Sequence, residues 1–154
     1  MRTPVDPMTP SVPLRPEAMS LDLPARTRAD VLEALAARAA DVAGLDPLAV
    51  ARALADREAL GSTGVGSGVA MPHAPVDGLD AALVLFVRLA RPIDWEAIDD
   101  EPVDLVLAVL SPTRVAGASM NVLSKFARLL RSDAVRARLR VGDAAEVAAE
   151  LAAA

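Results

Sequence analysis

Cysteine is absent from the 154 residues, which excludes disulfide frameworks, thiolate catalysis and cysteine-type zinc sites. Aromatic residues amount to 2%, with no tyrosine and a single tryptophan, Trp95. That is too little for a base-stacking surface that would hold single-stranded nucleic acid. A basic excess is missing as well: the formal net charge is −5, the wrong sign for a phosphate-backbone footprint. DNA and RNA are therefore not expected as partners. No apolar run approaches the roughly 18 residues of a membrane span. The N-terminus lacks the apolar stretch behind a basic start that marks a signal peptide. No membrane insertion is expected, and the cytoplasm is the expected compartment. Histidine is almost missing too, since His73 is the only one. Without a second histidine or a cysteine it cannot build a conventional zinc site, so no metal and no cofactor is implied.

What is present suffices for one domain with one core. Hydrophobic residues make up 53%, mostly Ala, Val and Leu. Residues 1–18 carry Pro4, Pro7, Pro10, Pro13 and Pro16 at every third position, the period of polyproline II. They read as a flexible or semi-rigid tail, with the folded domain over 19–154. A short strand is predicted at Met19–Leu23 and a helix over Arg28–Val42. Thr27 and Asp30 would form its capping box, and Gly44 would end it. A second helix starts at Asp46 and Pro47 and runs to about Leu60, with Val50, Leu54 and Leu60 turned inward. Ala82–Leu89 and Val103–Leu110 are apolar runs of strand length, suited to a sheet covered on both faces. Arg91–Pro102 between them reads as a polar connection. Helices are predicted from Ser119 to Arg131, from Asp133, and after an Asp143 cap. The mixture, with helices flanking the strands on both sides, indicates the α/β class.

Four of the eight glycines fall within eight residues: Gly61, Gly64, Gly66 and Gly68. Such a turn can present free N–H groups to an anion, with Ser62, Thr63 and Ser67 adding hydroxyls. An irregular helix-to-strand connection would have the same composition. No G-x-x-x-x-G-K-[ST] is present, and a helix precedes the glycines where a dinucleotide fingerprint needs a strand. The extended segment after the turn ends in Met71-Pro72-His73. Pro72 lacks the N–H for a ladder, so strand pairing is expected to stop there and leave His73 at a strand end. One imidazole nitrogen could then be oriented by a backbone carbonyl while the other acts as a nucleophile. A phosphoryl group on it would carry roughly −1.5 to −2 charges, which free N–H groups nearby would offset. Phosphohistidine is one option among several on these residues alone.

Three stretches narrow the choice. Arg57–His73 (REALGSTGVGSGVAMPH) resembles the active-site signature of enzyme IIA domains of the mannitol–fructose class in the bacterial phosphotransferase system. Arg91–Pro112 and the run LSKFARLLRS from Leu123 are similar to that family's next blocks. Ser20–Ala36 looks most like its nitrogen-regulatory branch, and the resemblance covers roughly residues 19–152. It implies an α/β sandwich with a mixed central sheet. It also implies that His73 accepts phosphate from HPr or a nitrogen-branch HPr-like phosphocarrier, with phosphoenolpyruvate as the original donor. Arg57 matches a family arginine near the active histidine, and Ser62, Thr63, Gly64, Gly66 and Ser67 fall in the turn expected to bind phosphate.

The chain departs from the family at three positions. A second histidine, common early in the long helix, is missing, and about Ser119 stands in its place. Pro75 occupies the site two residues after the histidine, where a basic or small residue is usual. Ser67 replaces the usual asparagine in the glycine turn. Losing the second histidine removes a helper and leaves the acceptor, so phosphorylation is expected to survive. Three functions remain open. One is a phosphoryl-accepting regulator acting on target proteins. Another is a fructose- or mannitol-type IIA delivering phosphate to a IIB partner, and the third a binding module whose site has decayed.

Overall fold

Thr27 is extended (φ −130°, ψ 160°) and its hydroxyl accepts the Asp30 N–H, while the Asp30 carboxylate accepts the Thr27 N–H. Helix α1 (Arg28–Ala43) therefore starts where the capping box predicts, and left-handed Gly44 closes it with a 2.9 Å bond to the Ala40 carbonyl. Asp46 caps α2 (Pro47–Ala59) by accepting the Leu48 N–H, with Pro47 at the first helical position. The computed structural model describes residues 14, 16–115 and 117–154. Most of the proline-rich segment, including Pro4, Pro7, Pro10 and Pro13, lies outside the described residues. Pro16–Ala18 form a 3-10 turn with Ala18 buried, and Leu14 packs against the core.

Six strands form one mixed sheet: β1 (Met19–Leu23), β2 (Gly64–Gly66), β3 (Val69–Ala70), β4 (His73–Val76), β5 (Leu83–Ile93) and β6 (Val103–Pro112). The order is β1-β5-β6-β3-β2, with β4 continuing the line of β3 along β6. The central β5–β6 pair and β2–β3 are antiparallel, and the other pairs are parallel. Along β6, Val106, Ala108 and Leu110 join the core under α1 and α2. Leu105, Leu107 and Val109 join the core under α3 (Ala118–Leu129), α4 (Asp133–Val141) and α5 (Ala144–Leu151). This two-residue alternation, covered on both sides, explains why the strands read as unbroken apolar runs.

The structure differs from expectation in three places. Leu60 is 85% exposed, because α2 ends at Ala59 and the residue after the last turn has left the buried face. The strand β5 runs on to Ile93, and Trp95 beyond it is wholly buried. Pairing lapses over Met71–Pro72 but resumes in unbroken register, so His73 begins β4. Pro72 lacks a donor, yet its carbonyl still accepts the Val109 N–H at 3.0 Å.

Arg88 interrupts the apolar run of β5 and is buried. Its guanidinium donates to the carbonyls of Leu139 (3.0 Å) and Gly142 (2.7 Å), the open end of α4, and to Asp22. A buried cation thus satisfies helix C-terminal carbonyls. Arg136 does the same for the Leu130 carbonyl at the end of α3, at 2.7 Å. Replacing Arg88 by methionine keeps the apolar stem but strands two buried acceptors, a loss of about 2 kcal/mol readable in urea unfolding. The Arg88 hydrogen bonds hold the exposed Asp22 carboxyl below its ordinary value. That contribution is present above the usual carboxylate range and is lost as pH falls through the lowered value, so the variant should unfold with a flatter acid limb.

Candidate active site

His73 is half-buried at the start of β4, and its Nδ1 lies 2.9 Å from the Met71 carbonyl oxygen. A carbonyl only accepts, so Nδ1 carries a proton, and in the neutral ring the lone pair is on Nε2. The Met71 segment is itself held, because its N–H donates to the Thr63 carbonyl at 2.9 Å. The imidazole is thus set by the glycine turn on one side and by β6 on the other.

His73 lines a cleft of about 270 Å³ together with Arg57, Ser62, Thr63 and Val65, opposite Met120, Leu123 and Ser124 of α3. Arg57, on the last turn of α2, donates to the Gly61 carbonyl at 2.9 Å. Among the described residues no carboxylate lies within salt-bridge distance of it. Its remaining donors therefore stay available to an anion. Ser119 is half-buried and does not line the cleft; Met120, one residue on, does. Pro75 is exposed and lines a separate cavity with Leu45 and Asp77.

The glycine turn differs from the expected ring of free donors. The Thr63 N–H donates to Glu58, the Gly64 N–H to the Ser62 hydroxyl and the Ser67 N–H to Asp99. Gly64, Gly66 and Ser67 do not line the cleft. Gly64 is there for close approach: a Cβ would meet the Ala97 Cβ at 2.7 Å. Ser67 and Gly68 are the two turn residues between β2 and β3, at φ 57° and 80°. Two positive φ values are what a type I′ hairpin turn requires, and asparagine takes the first of them more readily than serine. Ser67→Asn should therefore raise stability by about 0.5 kcal/mol in urea unfolding without changing the chemistry at His73. The N–H groups of Ser67 and Glu101 hold the Asp99 carboxyl, which anchors this turn, below its ordinary range.

Sequence reasoning missed two groups. Ser124 places a hydroxyl in the cleft that has no partner among the described residues, whereas Ser62 donates to the Trp95 carbonyl at 2.8 Å. Helical spacing carries the signal: positions 120, 123, 124 and 127 share one face of α3. Glu58 is buried beneath the turn and hydrogen-bonded to Thr63. A carboxylate beside Arg57 on an exposed-looking helix end carried no such signal.

Residues 13–154 match the family described as the phosphoenolpyruvate-dependent sugar phosphotransferase system, EIIA 2. A nitrogen regulatory protein from Bradyrhizobium diazoefficiens is 42% identical over 125 residues, 81% of this chain and 82% of that one. A fructose-specific EIIA component from Haloferax volcanii is 36% identical, with 80% of each chain covered. The crystal structure of nitrogen regulatory protein IIA-Ntr from Neisseria meningitidis superposes with a TM-score of 0.83 at 33% identity, over 88% of this chain and 94% of that one. IIA mannitol from Escherichia coli shares the fold, with a TM-score of 0.74 at 22% identity over 88% and 96% of the two chains.

Proposed function

Because the chain belongs to the EIIA 2 family of the phosphoenolpyruvate-dependent sugar phosphotransferase system, we propose that it is a regulatory IIA protein phosphorylated on His73 by an HPr-like phosphocarrier. The observation that carries the reading is the bond from Nδ1 to the Met71 carbonyl, which leaves Nε2 as the nucleophile in a cleft shared with Arg57. Nε2 attacks phosphorus in line, and the phosphorus–nitrogen bond on the carrier's histidine breaks, returning its electron pair to that ring. The Met71 carbonyl then faces the positive charge that develops on the His73 ring. Arg57 and the Ser124 hydroxyl are the donors best placed for the phosphoryl oxygens, because those of Ser62 and Thr63 are already engaged.

Exposed Val65 and Met120 line the same cleft, and exposed Leu60 follows Arg57 at the end of α2, an apolar rim suited to a carrier surface. Nitrogen regulatory relatives favour regulation of target proteins as the outcome. The fructose-specific relative keeps delivery to a IIB component as the second reading. Intact mass after incubation with enzyme I, a phosphocarrier and phosphoenolpyruvate tests the proposal. One acid-labile phosphoryl group per chain is expected, with ¹⁵N couplings placing it on Nε2. A chain that stays unmodified with every nitrogen-branch and sugar-branch carrier is a binding module instead. Comparing targets captured by the phosphorylated and unmodified forms then tests regulation; identical sets would oppose it.

A further inference from the structure

Resting on the reading of His73 as the acceptor, we infer that the buried carboxylate of Glu58 is a positioning residue that holds the imidazole in its reactive tautomer. Glu58 is 6% exposed, on the last turn of α2, and it takes no part in the transfer chemistry above. Its two oxygens accept from one residue, Thr63: Oε2 takes the Thr63 N–H at 3.2 Å and Oε1 takes the hydroxyl. The Thr63 hydroxyl oxygen in turn accepts the indole N–H of wholly buried Trp95 at 3.2 Å.

From Thr63 the path to the ring is two hydrogen bonds long. The Thr63 carbonyl accepts the Met71 N–H at 2.9 Å, and the Met71 carbonyl accepts the His73 Nδ1–H at 2.9 Å. Moving Thr63 would thus displace the one acceptor that decides which ring nitrogen keeps the lone pair. Thr63 stands just before β2 with Gly61 and Gly64 two and one residues away, so on the α2 side the chain leading to it is easily bent. Glu58 restrains Thr63 from that side, from outside the turn.

Arg28, the first residue of α1, fixes Glu58 from the far side. Its Nη1 lies 3.4 Å from Glu58 Oε2 and donates to the Trp95 carbonyl at 3.1 Å, the same carbonyl that accepts the Ser62 hydroxyl. The carboxylate therefore ties together the start of α1, the end of α2, the glycine turn and the connection after β5. Among the described residues no buried side-chain polar atom is left without a partner, so the network is fully satisfied and stiff. Burial alone requires partners for both carboxylate oxygens, and here Thr63 bonds each of them. Using both carboxylate oxygens on the residue that braces Met71 points to control of the ring.

The test compares Glu58→Gln, Thr63→Val and Thr63→Ser with the parent chain, each confirmed folded by far-ultraviolet circular dichroism and a cooperative urea transition. Imidazole ¹⁵N shifts of the unphosphorylated proteins report the His73 tautomer, and single-turnover phosphorylation by a carrier reports the rate. Glu58→Gln and Thr63→Val should lose part of the Nδ1–H population and slow by about tenfold, because small misplacements far from the chemistry are costly. Thr63→Ser keeps the hydroxyl and should restore both. Folded Glu58→Gln and Thr63→Val proteins with the parent's tautomer and rate would overturn the assignment and leave Glu58 a brace for stability only. The tautomer readout needs no phosphate, so it judges Glu58 even if the parent chain proves not to be a phosphoryl acceptor.

Discussion

Replacing His73 by glutamine should abolish phosphoryl acceptance while leaving the domain folded. His73 is the chain's only imidazole, so no neighbour can take over as a nitrogen nucleophile. The hydroxyl residues that line its cleft are poor substitutes: the hydroxyls of Ser62 and Thr63 already donate to the Trp95 carbonyl and to Glu58. Ser124 has no base beside it once the histidine is gone. The half-buried ring makes a single described hydrogen bond, to Met71, so stability should change by about 1 kcal/mol at most. Intact mass and a thermal unfolding curve on the same sample check both halves. An acid-stable phosphate on the variant would move the acceptor to a hydroxyl, with Ser124 the first to examine.

Local chemistry was readable wherever it stayed local. The Thr27–Asp30 box, the Asp46–Pro47 start and the Asp143 cap each act within three residues, and each helix begins there. The apolar runs of β5 and β6 were legible because helices cover both faces of the sheet. The site was readable less evenly. His73 and Arg57 do share a cleft, and Pro72 does interrupt pairing, though only across two residues. The glycine turn misled, because glycines mark both free N–H groups and close backbone approach. Gly64 serves approach to Ala97, and Gly68 a positive φ. Donor accounting needs partners distant in sequence, such as Asp99 for the Ser67 N–H, 32 residues away. Arg88 was hidden likewise: its acceptors lie 51 and 54 residues on, in a helix that no local signal brings to β5. Leu60 shows the opposite failure, where helical period was extended one residue past the end of the helix.

Arg57→Ala should slow phosphorylation of His73 by about 10²–10³-fold, the cost of removing one donor aimed at developing charge. In transfer between two imidazoles the charge spreads over three equatorial phosphoryl oxygens, and the protein's contribution is position and field. Arg57 lines the cleft with His73, donates once to the Gly61 carbonyl and has no described carboxylate to neutralise it. That bond keeps the guanidinium from swinging into solvent, so its other donors are in place before the carrier arrives. Lysine at 57 would restore charge but neither the fork nor the fixed plane, and should recover only about one of the lost decades. Losing the Gly61 bond should cost about 1 kcal/mol of stability, too little to account for the rate. Quench-flow single turnovers of parent, Ala and Lys chains against one carrier separate these effects, and a loss below about threefold would remove Arg57 from the transfer step. Hydrolysis of the phosphorylated chains gives an independent check. A group that stabilises charge only in the transition state changes both attack steps, whereas one that merely docks the carrier leaves hydrolysis untouched.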